Sequence, residues 1–187
     1  MPGSLPVSPG GRAATTARPW TVRPERSGDA EGIRHVHTSA FGGPEEAALV
    51  DALRARAAPL LSLVASAPRG VVGHILFSPV LIPGLPGAPA AMGLAPIGVL
   101  PTHQRRGVGA ALIERGLAEC RRRGHHVVVV LGDPAYYAGF GFVPAAAHGL
   151  RCEFPAPPGA FRVACLVPGA LRGAHGLVRY RPELSRL

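Results

Sequence analysis

The sequence predicts an α/β fold, α+β in detail, built on one mixed β-sheet. Three observations predict it. Apolar residues recur at three- and four-residue spacing over 109–123, the signature of an amphipathic helix. Residues 127–131 are the unbroken run Val-Val-Val-Val-Leu, which suits a strand buried on both faces. The chain has 187 residues, 47% apolar and 17% charged, enough for one real core and too apolar for a disordered chain or a coiled coil.

Residues 1–18 are rich in Pro, Gly, Ser, Ala and Arg and are expected to form a disordered tail, leaving 19–187 as a single domain. Trp20–Arg23 alternates weakly and reads as a short first strand. Ile33, Val36, His37 and Ala40 set a helix over Asp29–Phe41. Pro44-Glu45-Glu46 opens a second helix, which runs through Leu49 and Leu53 to Arg56. Leu60–Ala65 and Val71–Leu81 read as strands joined by a hairpin at Ala67-Pro68-Arg69-Gly70. Residues 83–89 form a Pro/Gly loop, and Ala91–Leu100 is a third strand in which Pro96 marks a bulge or the end of pairing. The helix over Gly109–Arg123 has an apolar face of Val108, Leu112, Ile113, Gly116, Leu117 and Cys120, and Gly124 ends it. After strand Val127–Leu131 come a short helix, Pro134–Phe140, and a strand that begins over Gly141–Pro144. Phe161–Val167 and Gly176–Tyr180 are expected to close the fold. Strand, loop, helix, strand over 91–131 is a crossover unit with parallel strands.

Composition excludes several chemistries. All 20 basic residues are Arg, so a Walker phosphate loop, a Schiff base and an SxxK mechanism are ruled out. Cys120, Cys152 and Cys165 form no CxxC pair, so neither a disulfide framework nor a zinc finger is expected. Val71–Pro101 lacks Arg and carboxylates over a membrane-spanning length, but six prolines and five glycines break it. No signal-peptide pattern opens the chain, and a cytoplasmic location with no membrane partner is expected. The net charge is +9, and residues 104–124 hold six Arg against two Glu. That sign favours a phosphorylated cofactor or nucleic acid, or it is a solvated basic face.

The link Leu100-Pro101-Thr102-His103-Gln104-Arg105-Arg106-Gly107-Val108-Gly109-Ala110 carries the chemistry. It leads into a helix with no Ser, Thr, Asp or Glu to cap it. Free amides at a helix start, approached through glycines, make an anion site that a pyrophosphate would fill. It is not a Rossmann fingerprint, because the third glycine position is Leu112.

Gln104-Arg105-Arg106-Gly107-Val108-Gly109 resembles the acyl-CoA signature (Gln/Arg-x-x-Gly-x-Gly/Ala) of the GNAT N-acetyltransferases. Tyr136-Tyr137-Ala138-Gly139-Phe140-Gly141-Phe142 is similar to the family's second signature. Leu131-Gly132-Asp133-Pro134-Ala135-Tyr136-Tyr137 resembles a bacterial subgroup whose strand ends in LGDPxYY. The resemblance covers roughly 30–180. It implies a GNAT-like fold whose central mixed sheet is flanked by helices and whose parallel strands splay around the cofactor.

It further implies acetyl-CoA as acyl donor, with no metal. The pantetheine arm would pair with the backbone of Ile97, Gly98 and Val99, and the pyrophosphate would sit on Arg105, Arg106, Gly107, Val108, Gly109 and Ala110. An amide near Val99 would hold the oxyanion, and Tyr137 would protonate the leaving thiolate, with Tyr136 as a packing or cofactor-wall residue. The central strand has no acid to serve as general base. His74 and His103 could relay a proton, and His74 fits a structural role at least as well. Asp133 suits a helix cap. The acceptor is a small-molecule or protein amine, and a homodimer is compatible with the family. Nucleic acid is disfavoured as a partner, although a non-catalytic acyl-CoA binder or a basic nucleic-acid-binding module are the alternatives to the transferase.

Overall fold

The computed structural model describes residues 19–56, 60–85 and 90–186. The tail expected over 1–18 lies outside the described residues, as does part of the 83–89 loop. Seven strands form the main sheet in the order β1-β2-β3-β4-β5-β8-β6. They are β1 (Thr21–Pro24), β2 (Leu61–Ala67), β3 (Gly70–Val80), β4 (Ala91–Val99), β5 (Val127–Leu131), β6 (Val143–Pro144) and β8 (Phe161–Cys165). Only β4 and β5 run parallel, joined by the crossover helix α3 (Val108–Arg122); the other neighbours are antiparallel. The remaining helices are α1 (Ala30–Phe41), α2 (Glu45–Arg56) and α4 (Pro134–Ala138).

Helix boundaries follow local chemistry. Gly42, at φ +82°, ends α1 in the left-handed region and returns its N–H to the Thr38 carbonyl at 2.9 Å. On α1, Ile33, Val36 and His37 are buried, the face its periodicity marks. On α3, Val108, Leu112, Ile113, Gly116 and Cys120 face the core with Phe77 of β3. Gly116 is required there, because a Cβ would stand 2.4 Å from the Phe77 ring. Within the run Arg121–Arg123, the Glu119 carboxylate accepts from Arg122 at 2.6 Å and Arg123 at 3.0 Å, an ion cluster at the end of α3.

One end of the chain differs from expectation. Gly176–Tyr180 does not close the main sheet. Gly176–Val178 forms β9, which pairs in parallel with β7 (Leu150–Cys152) in a separate two-stranded sheet. β7 is only three residues long and sits in a Pro/Gly-rich stretch, so no alternation marks it. The Leu81↔Arg179 bridge returns this segment to the end of β3.

Between α1 and β3 runs a buried polar chain. His37 Nε2 lies 2.7 Å from His74 Nδ1, and His74 Nε2 lies 2.9 Å from Ser62 Oγ. Ser62 Oγ donates to Glu25, whose carboxylate pairs with Arg54 at 2.7 Å. Neither imidazole is exposed. Burial, and then the Arg54 charge, push His37 down to about 4. Burial, His37 and Arg54 push His74 well below its ordinary value. Both rings are therefore neutral at pH 7.

The sign of the linkage follows. The unfolded chain takes protons on these rings near pH 6.5, while the folded chain refuses them until about pH 4 at His37. Their contribution to stability is complete above pH 6.5 and is lost as the pH falls from there toward 4. At pH 5 the His37 share of that loss is roughly 2 kcal/mol. Thermal unfolding should show the melting temperature falling by roughly 4–8 °C between pH 7 and pH 5. In a His37→Gln/His74→Gln protein most of that slope should vanish. A flat wild-type profile would show that the folded rings take up protons as readily as the unfolded ones.

Candidate active site

The site begins where β4 and β5 part. They pair at Ala91↔Val127, Met92↔Val128, Gly93↔Val129 and Leu94↔Val130, and pairing stops there. Opposite this point Ala95 and Pro96 stand against Leu76 alone, a bulge in the β3 register. The bulge expected at Pro96 is present, and Pro96 has no N–H to offer a neighbour. Beyond it, Ile97, Gly98 and Val99 pair with β3 only, opposite Ile75, His74 and Gly73. Among the described residues no other strand pairs with their β5 side. Gly98 also serves packing: a Cβ there would stand 3.0 Å from His37 Nδ1, so its missing side chain admits α1. That Nδ1 is buried without a hydrogen-bond partner among the described residues.

From Val99 the chain turns into α3. The Leu100 N–H donates to Val72 O at 3.0 Å, and Gln104 Nε2 donates to Val99 O at 3.0 Å, tying the loop to the end of β4. Arg105 at φ +58° and Gly107 at φ +78° are both left-handed. No side chain caps α3 and no acid lies in its first turn. The first-turn amides of Val108, Gly109 and Ala110 thus have no intrahelical acceptor. Arg105 and Arg106 are exposed beside them. Above this turn lies Tyr136, whose hydroxyl is 2.9 Å from where a Cβ on Gly109 would be. His103 sits on the loop with its Nδ1 3.0 Å from Thr102 Oγ1.

After β5, Asp133 caps α4, accepting from the amides of Ala135 at 2.7 Å and Tyr136 at 3.2 Å. The cap aims Tyr136 and Tyr137. Tyr137 folds back over Gly132, where a Cβ would stand 2.4 Å from its ring, and packs edge-on to Phe142. It is only 6% exposed, and burial, with a smaller push from Tyr136, raises its phenol to about 12. Cys120, buried on α3, has its thiol raised to about 12 for the same reason.

Strand alternation separates two sides of the split. Val128 and Val130 face the Tyr137 and α3 cluster, and Val127 and Val129 face the opposite layer. A cavity of about 450 Å³ opens at the split, lined by Leu94 and Ala95 of β4, Leu131 of β5, Phe154, Tyr180 and Leu184. The last three were not singled out from the sequence. Tyr180 packs its ring on Gly93, where a Cβ would lie 2.8 Å away, and against Phe154 with ring centroids 5.3 Å apart. Its hydroxyl is buried and has no hydrogen-bond partner among the described residues. Burial holds its phenol well above the ordinary value. Its backbone N–H donates to the Glu153 carboxylate. Among the described residues no cluster of His, Cys, Asp or Glu could hold a metal ion, and no helix is long and apolar enough to cross a membrane.

Comparison with known proteins fits this geometry. The family model for the acetyltransferase (GNAT) domain matches residues 21–145. The N-acetyltransferase YhbS of Escherichia coli K12 is 39% identical over 166 residues, which cover 88% of this chain and 98% of that protein. The crystal structure of Escherichia coli YhbS in complex with CoA superposes with a TM-score of 0.84 at 36% identity, over 94% of this chain and 97% of that one. A GNAT acetyltransferase from Brucella melitensis in complex with acetyl-CoA gives a TM-score of 0.72 at 37% identity, over 88% of this chain and 97% of that one. With the splayed parallel pair, the glycine loop and the tyrosine turn in order, the chain belongs to the GNAT family and is an N-acetyltransferase.

Proposed function

We propose that this chain transfers an acetyl group from acetyl-CoA to a primary amine by direct attack in a ternary complex. One observation carries the assignment of the site: the open edge of β4 at Ile97, Gly98 and Val99 leads directly into the uncapped start of α3. An extended amide chain pairs with such an edge, and a pyrophosphate caps such a helix. Arg105, Arg106, Gly107, Val108, Gly109 and Ala110 then hold the diphosphate through amides and guanidinium charge, and Tyr136 walls the pantetheine arm. The CoA and acetyl-CoA complexes of the relatives support this reading.

The neutral acceptor nitrogen adds to the thioester carbonyl, whose oxygen is met by a backbone amide near Val99. The C–S bond breaks, and the leaving sulfur takes the Tyr137 proton. The nitrogen loses one proton to water, which restores the phenol. A phenol raised to about 12 would be a poor donor to a thiolate in water. Burial raises a thiol in the same direction as a phenol, as Cys120 shows, so a sulfur that leaves in a water-poor site is a stronger base than one in water and can take the Tyr137 proton.

Tyr137→Phe should lower kcat by at least about a hundredfold while leaving acetyl-CoA affinity within about twofold. Equal loss of both would demote Tyr137 to a packing residue. Because Tyr137 stays protonated far above pH 10, no falling limb should appear in the pH–rate profile up to pH 10. Calorimetric titration should show micromolar acetyl-CoA binding to the wild type, weakened at least about thirtyfold by Gly107→Glu and by Arg106→Glu. Undiminished binding in both variants would move the cofactor off the loop.

A further inference from the structure

We infer that the cavity at the β4–β5 split is the acceptor site and that it takes a monoamine with an apolar body, such as an arylalkylamine. The inference rests on the acetyl-CoA reading above and names the substrate class for that site.

Position comes first. Leu94 is the last β4 residue paired with β5, Ala95 the first beyond it, and Leu131 ends β5. All three line the cavity, so whatever fills it meets the split where the thioester is expected. Alternation on β5 puts Tyr137 on the other side of the sheet. The nucleophile can therefore enter from the cavity while the thiolate is protonated from the α3 side.

Chemistry narrows the occupant. The described lining is aliphatic and aromatic and includes no carboxylate. The neighbouring acids are engaged elsewhere. Glu153 accepts from the Tyr180 backbone N–H and lies 3.9 Å from Arg179, and Glu183 faces Arg181 at 3.4 Å. A polyamine, an aminoglycoside or a Lys-rich peptide would bring several cations into an apolar pocket of a protein carrying +9. An apolar amine brings one, and the pocket favours its neutral form, since desolvation lowers an ammonium pKa. The neutral form is the nucleophile. The dry wall thus does part of the work of the general base that the central strand lacks. The volume, about 450 Å³, suits a small aromatic amine beside an acetyl group.

Tyr180 contributes its ring, which packs on Gly93 and against Phe154 and completes the apolar wall. Its hydroxyl is shut off from the cavity by packing. Tyr180 is thus a positioning residue, and Tyr137 keeps the acid role.

The test uses the full-length protein. Calorimetry with acetyl-CoA comes first; if acetyl-CoA does not bind, the cofactor reading fails and this inference fails with it. With binding established, phenethylamine and isoamylamine are compared with spermidine and a Lys-rich peptide by thiol release and product mass. At least tenfold higher kcat/KM for the apolar amines is expected, rising about tenfold per pH unit between pH 7 and 9. Preference for spermidine or the peptide, or no turnover of either apolar amine, overturns the inference and leaves the cofactor reading standing. So does faster transfer from octanoyl-CoA than from acetyl-CoA, which would make the cavity an acyl pocket. Leu131→Glu, at an exposed position, should shift the specificity ratio at least tenfold toward spermidine with acetyl-CoA affinity unchanged; an unmoved ratio counts against the cavity as acceptor site.

Discussion

The parting of β4 and β5 after Leu94 is the constraint on which the rest of the site depends. Two parallel strands buried in one sheet would ordinarily stay paired to their ends. Here pairing stops because Ala95 and Pro96 together oppose Leu76, and Pro96 has no N–H for a neighbour. One irregularity yields three consequences. Ile97–Val99 keep an unpaired edge, the sheet opens a cavity in its own plane, and α3 begins at the far end of that edge. Had β4 continued in register with β5, the glycine loop would still be an anion site, but nothing would carry a ligand from it into the sheet.

Helix α3 converts this opening into a polar gradient. Its first turn exposes amides with no side-chain cap and is flanked by Arg105 and Arg106, while its body packs Leu112, Ile113 and Gly116 onto the sheet. Gly116 sets the depth of that packing, since the Phe77 ring occupies the space a side chain would need. The positive helix end is thereby held close to the strand edge. Charge sits at one end of the split and apolar surface at the other, which matches a cofactor that is an anion at one end and a thioester at the other.

What the sequence made legible follows from range. The α3 face, the Val-rich β5, the Pro96 bulge and the Asp133 cap each depend on residues a few positions apart, where periodicity and turn chemistry act. The glycine loop and the tyrosine turn were readable because their spacing is local too. The His37–His74–Ser62–Glu25 chain joins four elements, and no window of sequence shows that two neutral imidazoles meet. The acceptor cavity was hidden for the same reason. Phe154 and Tyr180 come from separate segments of the Pro- and Gly-rich final third, brought together by the β7–β9 pair, which is too short to carry a pattern. Gly98 has a neighbour that no local window shows: its missing Cβ makes room for His37.

The Arg-only composition bears on the chemistry as well as on the charge. An enzyme that holds an activated acetyl group beside an open cavity exposes it to its own nucleophiles. A lysine ammonium loses its proton readily when desolvated and would then compete as an acceptor. A guanidinium stays charged and does not attack. This chain has no lysine, so its basic side chains, Arg105 and Arg106 beside α3 among them, supply charge without offering an amine to the thioester. The buried thiol of Cys120 is protected differently, by burial that pushes it up to about 12 and keeps it protonated. The nucleophile that reaches the split must then arrive from outside, and an apolar wall admits it in the neutral form that reacts.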